Sequence, residues 1–241
     1  MKYALVVLVG WCVGCSGQKS DFEGRGADSD HALPNLDPRE AVPNDERAIE
    51  YALMYEDTYS SETEFYGPTS VALEYRGDPL SFRAWCVDVS HSIGGGIAYR
   101  GKLYSSYEPI PSGSALVHQE NLDLANYLVT EHPVRSTFRR DDGTEFKVTN
   151  QDMQGALWTL VSSGVWGDSP TAEVEALVAE AREKGEGFVP SAGQHATMIV
   201  VGRVNLDGND ENDVQTLAID VVVPGDPDGA GDPISAQHDT Q

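Results

Sequence analysis

The sequence predicts an α+β fold in which antiparallel strands, arranged as a sheet or a small barrel, carry an inserted helical subdomain of about three helices. Three observations support this class. Segments rich in aromatic and β-branched residues come first, apolar residues at helical spacing fill the middle, and two β-branched runs come last. This order differs from the regular strand–helix alternation that a parallel sheet requires.

Alternation of polar and apolar residues, or enrichment in aromatic and β-branched ones, marks each predicted strand. The five predicted strands are 70–75, 81–89, 97–107, 197–204 and 215–223. A glycine triplet at 94–96 is interpreted as a flexible turn, because a phosphate-binding loop needs a different glycine spacing and a following helix.

The predicted helices have apolar residues three and four positions apart and recognisable ends. They are 121–130, 150–162 and 171–184. Pro133 follows the first, Thr149 or Asn150 caps the second, and Pro170 and Gly185 bracket the third.

Composition excludes several classes of function. The 241 residues carry 16 basic and 39 acidic side chains, a formal net charge of -23, so no nucleic-acid partner is expected. Three cysteines are too few for a disulfide framework or a four-cysteine zinc site. No cofactor motif and no histidine spacing typical of a metal site is found. The apolar fraction of 40% indicates that most of the chain folds.

The N-terminus carries an export signal. Met1 and Lys2 precede an apolar run at 3–13, which is too short to cross a bilayer, since that takes roughly 20 apolar residues. Small residues and a cysteine at its end resemble a bacterial lipobox, which implies lipidation of Cys15 and a membrane anchor made of lipid. Because Ser16 follows that cysteine, the outer membrane or cell surface is the expected location. An ordinary signal peptide cut nearby is the alternative.

Composition along the chain divides it into four parts. They are a signal peptide at 1–14, a flexible acidic stalk at 15–45, a folded domain at 46–224 and a disordered acidic tail at 225–241.

Cys86 is the only thiol left if Cys12 is removed and Cys15 is acylated. A lone cysteine in an exported protein is a buried inert residue, a nucleophile, or one protected in a covalent bond other than a disulfide. On a strand, Cys86 and Asp88 share one face, so Asp88 can orient the segment or act as a base.

The second predicted helix places an amide in an apolar environment. Its apolar stripe consists of Met153, Leu157, Leu160 and Val161. At ~100° per residue Gln154 falls inside the wider apolar arc, whereas Gln151 lies nearer its edge. A buried Gln154 amide must find hydrogen-bond partners or cost roughly 1–3 kcal/mol.

Two short segments in this order resemble the bacterial thioester domain of surface adhesins. They are Trp85-Cys86-Val87-Asp88 and Gln154-Gly155-Ala156-Leu157-Trp158. The resemblance implies that Cys86 and Gln154 condense to an internal thioester with loss of ammonia, with Asp88 as an orienting residue. It also implies covalent attachment to an amine-bearing protein or small molecule at the cell surface. Such a bond forms once, so no enzymatic turnover is expected.

Other interpretations stay open at this stage. The same fold with an inactive site would serve as a non-covalent binding or structural lipoprotein. A cysteine hydrolase would need a histidine near Cys86, and the candidates are His91, His118, His132 and His195. The acidic segment 207–213 has oxygen ligands at alternate positions, as calcium sites do, but an acidic hairpin loop is favoured.

Overall fold

The computed structural model describes residues 32–33, 36–54, 69–76, 78–91, 93, 98–114, 116–162, 170–205 and 214–225. Within these ranges the strands are β1 (Ala48–Met54), β2 (Thr69–Tyr75), β3 (Asp78–Cys86), β4 (Ala98–Ser105), β5 (Thr137–Arg139), β6 (Glu145–Lys147), β7 (His195–Asn205) and β8 (Leu217–Val222). The helices are α1 (Leu122–Glu131), α2 (Asn150–Val161) and α3 (Ala172–Lys184), with 3-10 turns at Ser112–Ser114 and Gln119–Asn121.

In the described part of the chain, six strands close into an antiparallel barrel in the order β1-β2-β3-β8-β7-β4. The closing pair is β1 with β4, in a register that sets Tyr51 opposite Tyr99. Closure satisfies the backbone groups that an open sheet would leave at its edges. The fold is therefore the predicted α+β arrangement, with a barrel as its β component.

Side chains alternate between the two faces of the barrel wall, as strand geometry requires. On β3, Phe82 and Ala84 point into the barrel core, while Trp85 joins a second core beneath the helices. On β7, Met198 and Val200 point inward. The two cores thus share one wall of strands.

The helical subdomain lies between β4 and β7 in the chain and packs over the outer face of the barrel. It comprises α1, α2, α3 and the β5–β6 hairpin, and the first two helices contact β7 and β3. Buried Asn126 joins α1 to the barrel, because its Oδ1 accepts hydrogen bonds from Thr197 N at 2.7 Å and Thr197 Oγ1 at 2.8 Å.

The predicted helix ends agree with the structure. Thr149 caps α2 through a capping box, in which Asp152 N donates to Thr149 Oγ1 and Thr149 N donates to the Asp152 carboxylate. Thr171 caps α3, which ends at Gly185. The second predicted strand, 81–89, ends three residues early, at Cys86. Strand β1 and the β5–β6 hairpin had no counterpart among the predicted elements.

The last part of the predicted stalk packs on the barrel. Leu36 is 5% exposed and Val42 is 1% exposed, and both belong to the barrel core. Glu108 accepts hydrogen bonds from Val42 N at 3.1 Å and from the Arg47 guanidinium, which fixes this segment to the end of β4. A few apolar residues in a polar segment act here as anchors, so the folded unit begins before residue 46.

Several predictions fall outside the described residues. These are the signal peptide, Cys15, the glycine triplet 94–96, the acidic loop 207–213 and the tail from 226 onward. Among the helices that are described, none combines the length and apolar character needed to span a membrane.

Candidate functional site

The structure brings Cys86 and Gln154 into direct contact. Cys86 N–H donates to Gln154 Oε1 at 3.0 Å, and Gln154 Nε2 donates to the Cys86 carbonyl oxygen at 2.5 Å. The side-chain amide thereby pairs with the backbone amide groups of Cys86 much as a neighbouring strand would.

The Gln154 amide binds where the described pairing of β2 with β3 ends. The described pairing of β2 with β3 begins at Thr69 opposite Ala84, while Val87 N–H bonds Thr216 O on the β8 side. Since backbone groups alternate sides along a strand, the Cys86 N–H and C=O face the β2 side, beyond its last paired residue. Gln154 from α2 fills that position.

The start of α2 determines which glutamine reaches the strand. The capping box at Thr149 and Asp152 fixes the first turn, and from there Gln154 points inward with 6% exposure. Gln151 is exposed. The choice of Gln154 over Gln151, made from helical periodicity, therefore agrees with their positions.

The segment that follows Cys86 is held from two sides. Gln215 Nε2 donates to the Asp88 carbonyl oxygen at 2.5 Å, and Val89 N–H donates to Ser162 Oγ, just past the end of α2, at 3.3 Å. These contacts hold the backbone around Asp88 in one conformation.

The Asp88 side chain is fully buried and organises its neighbours. Its Oδ1 accepts a hydrogen bond from Ser90 N at 2.7 Å, and its Oδ2 lies 2.5 Å from His91 Nδ1. From the sequence, Asp88 was predicted to be an orienting residue, and His91 was one of four candidate histidines for a hydrolase. A histidine three residues after a buried aspartate was the signal that could have joined them.

Electrostatics keep the thiol protonated. Burial, and secondly the negative charge of Asp88, raise the pKa of Cys86 to about 12. An activated catalytic cysteine shows the opposite shift, because a neighbouring imidazolium or helix N-terminus stabilises its thiolate. The environment of Cys86 thus argues against the cysteine hydrolase interpretation.

The side chains of Cys86 and Trp85 lie on opposite faces of the barrel wall. Cys86 is half-buried and packs against the barrel core, whereas Trp85 is 2% exposed and belongs to the core beneath the helices.

The remaining described histidines contact carboxylates other than Asp88. His118 contacts Glu120, His132 contacts Glu180, and His195 contacts Asp220. No group of three or more metal-binding side chains occurs among the described residues.

Comparison with known proteins adds little to this geometry. No family model matches the chain, and no curated protein matches it. Among solved structures, the chain is similar to the N-terminal domain of the Streptococcus pyogenes pilus tip adhesin Cpa. The TM-score is 0.41 and the identity 11%, over 74% of this chain and 95% of that chain. Similarity at this level supports no conclusion about function.

Proposed function

We propose that Cys86 and Gln154 condense to an internal thioester, through which this exported, lipid-anchored protein attaches covalently to amine-bearing targets at the cell surface. The observation that carries the proposal is the pair of hydrogen bonds that holds the Gln154 carboxamide against the Cys86 backbone. Bringing a nucleophile and a poor electrophile together in this way can supply ~7–11 kcal/mol of a barrier.

Formation of the bond joins the side chains of two residues that already contact each other through the Cys86 backbone. Cys86 Sγ attacks Gln154 Cδ, the C–N bond breaks, and Nε2 leaves as ammonia with the thiol proton. The negative charge of the tetrahedral intermediate develops on Oε1, the atom to which Cys86 N–H donates at 3.0 Å. A donor fixed in advance at that position stabilises the intermediate without reorganisation.

The thioester then reacts with an amine. A neutral amine attacks the Gln154 carbonyl carbon, an amide bond forms, and Cys86 leaves as the free thiol. Each chain reacts once, so the protein is a covalent attachment device and not an enzyme. The net charge of -23 favours encounter with cationic amines, such as lysine side chains of a target protein.

A second function is favoured by the same hydrogen bonds. The intact Gln154 amide satisfies both the N–H and the C=O of Cys86, so the uncondensed site is a stable arrangement. In that case the protein is a non-covalent binding or structural lipoprotein with a purely structural glutamine.

The intact mass of the natively purified full chain separates the two functions. A thioester makes the chain about 17 Da lighter than its sequence, and methylamine then adds about 31 Da. Cys86→Ala and Gln154→Ala must each abolish the mass loss, while Gln151→Ala, the exposed neighbour on the same helix, must keep it. A wild-type chain of full mass, unchanged by methylamine, would contradict the thioester and favour the non-covalent function.

A further inference from the structure

We propose that His91, held by Asp88, is the proton carrier of this site, taking a proton from the incoming amine and delivering it to the Cys86 sulfur. The inference rests on the thioester proposed above and adds to it a residue and a step. The condensation of Cys86 with Gln154 proposed above assigns no role to His91.

The geometry of the Asp88 side chain supports this assignment. The buried carboxylate binds Ser90 N–H through one oxygen and His91 Nδ1 through the other, at 2.7 Å and 2.5 Å. This fixes the orientation of the imidazole ring, as a carboxylate does in many acid–base sites. The His91 side chain is 29% exposed, so the ring lies between solvent, where amines arrive, and the buried carboxylate.

The segment that carries His91 begins at the thiol. Asp88 lies two residues after Cys86, and its negative charge helps to raise the pKa of the thiol. Contacts of this segment to Gln215 and to Ser162, just past the end of α2, fix the backbone between Cys86 and His91. Among the described histidines, His91 alone belongs to this segment.

The chemistry requires a proton to move. Attack by the amine nitrogen on the Gln154 carbonyl gives an intermediate with a positively charged nitrogen and a negatively charged oxygen. Collapse towards the product forms the amide, breaks the C–S bond and returns the electron pair to sulfur. One proton must leave the nitrogen and one must reach the sulfur, so a single carrier balances the step.

The raised pKa of the thiol means that this proton transfer decides whether the intermediate goes on to the amide or returns to the thioester. A leaving group with a pKa of about 12 departs more slowly than a primary alkylamine, whose conjugate acid has a pKa of roughly 10 to 11. Without proton transfer the intermediate therefore expels the amine and returns to thioester. Removal of the nitrogen proton and protonation of the sulfur reverse that preference.

The test uses the full chain and compares His91→Gln with His195→Gln, which alters the other histidine that is bonded through Nδ1 to a buried aspartate. The rate of reaction with methylamine is followed by intact mass in low and in high phosphate buffer at constant ionic strength. Phosphate carries protons at neutral pH and can take the place of a missing histidine, but it does not repair a displaced loop.

The expected result is a loss of roughly 10²-fold in the methylamine rate for His91→Gln at low phosphate, a partial recovery at high phosphate, and unchanged rates for His195→Gln. Equal rates for His91→Gln and wild type would overturn the assignment, as would a loss that phosphate does not relieve, which a merely displaced loop produces. If His91→Gln melts like wild type but loses the 17 Da more slowly, the same proton transfer is limiting in bond formation, which supports the assignment. A wild-type chain without mass loss would contradict the thioester itself, a result distinct from all of these.

Discussion

Among the described residues, two buried aspartates each bind a histidine through Nδ1, and they differ in what lies beside them. Asp88 binds His91 at 2.5 Å and adjoins the Cys86 thiol. Asp220 binds His195 at 2.7 Å, and Arg83 Nη1 lies 3.9 Å from Asp220 Oδ2. The first pair lies close to a thiol in sequence, and the second shares an ion pair with an arginine.

The strand register accounts for this difference. Asp220 lies in the middle of the β7–β8 ladder opposite Thr197, on the face of β8 that lies outside the barrel core, and Arg83 on β3 shares its ion pair. Asp88 lies beyond the end of β3, where Gln154 has replaced a strand partner. The pair within the ladder is held by the strands on both sides, whereas the pair beyond the strand end lies next to the contact between Cys86 and Gln154.

The largest expected effect comes from neutralising each aspartate. Asp88→Asn removes the carboxylate that orients His91, so the methylamine rate should fall by roughly 10²-fold, as for an acid–base residue. Asp220→Asn removes the charged partner of His195 and of the partly exposed Arg83, and should lower the free energy of unfolding by roughly 1–3 kcal/mol without changing the rate. Intact-mass kinetics and urea unfolding measure the two quantities. Equal rate losses in both variants would show that the two pairs do not differ in function.

Much of the fold was accessible from sequence because local patterns determine it. β-Branched runs along 197–204 and 215–223 identified β7 and β8, and a cap at Thr149 or Asn150 identified the start of α2. Helical periodicity also distinguished buried Gln154 from exposed Gln151. In each case residues close in sequence carried the information.

What the sequence did not reveal depends on contacts between distant segments. The closure of β1 on β4 is a matter of register between strands about fifty positions apart, and the polar segment with Leu36 and Val42 has too few apolar residues to signal burial. The hydrogen bond from the Cys86 N–H to Gln154 Oε1 became visible only when α2 was placed against β3. The Asp88–His91 bond required the backbone turn after β3.

A smaller effect should follow from releasing the backbone of Asp88. Gln215→Ala removes the donor to the Asp88 carbonyl, which should lower the free energy of unfolding by roughly 1–2 kcal/mol. Because this also loosens the segment that carries His91, the methylamine rate should fall several-fold. Gln119→Ala is the matched control, since Gln119 Oε1 accepts from Ile110 N at 3.2 Å, away from the site. If both variants slow the reaction equally, the Asp88 carbonyl contact has no specific role.

A third histidine–carboxylate pair, His132 with Glu180, provides a purely structural reference. Burial tends to raise the pKa of Glu180, but hydrogen bonds from Tyr127, His132 and Lys184 outweigh it and hold that pKa below its usual range. A lowered pKa stabilises the fold above the unfolded-state value and loses that contribution as the pH falls through the folded value.

Glu180→Gln should therefore lower the free energy of unfolding by about 1 kcal/mol near pH 7. The difference from wild type should shrink in acid, as the pH falls through the lowered pKa of the wild-type carboxyl. Urea unfolding near pH 7 and in increasingly acidic buffer measures this, and the methylamine rate should not change. A stability loss that persists in acid would assign the effect to lost side-chain contacts instead of charge.

The smallest expected effect concerns the approach of α2 to α3. A Cβ at Gly155 would lie 2.9 Å from Val174 Cγ2, so Gly155→Ala crowds the helix that carries Gln154. Overpacking costs about 1–3 kcal/mol, and the better helix propensity of alanine returns about 0.5–1 kcal/mol, which leaves a net loss near 1 kcal/mol. Gly155→Ala combined with Val174→Ala should recover part of this loss, so a double-mutant cycle gives a favourable coupling energy. Strictly additive losses would show that the helices separate freely, and Gln154 would then owe its position to the capping box and to Cys86 alone.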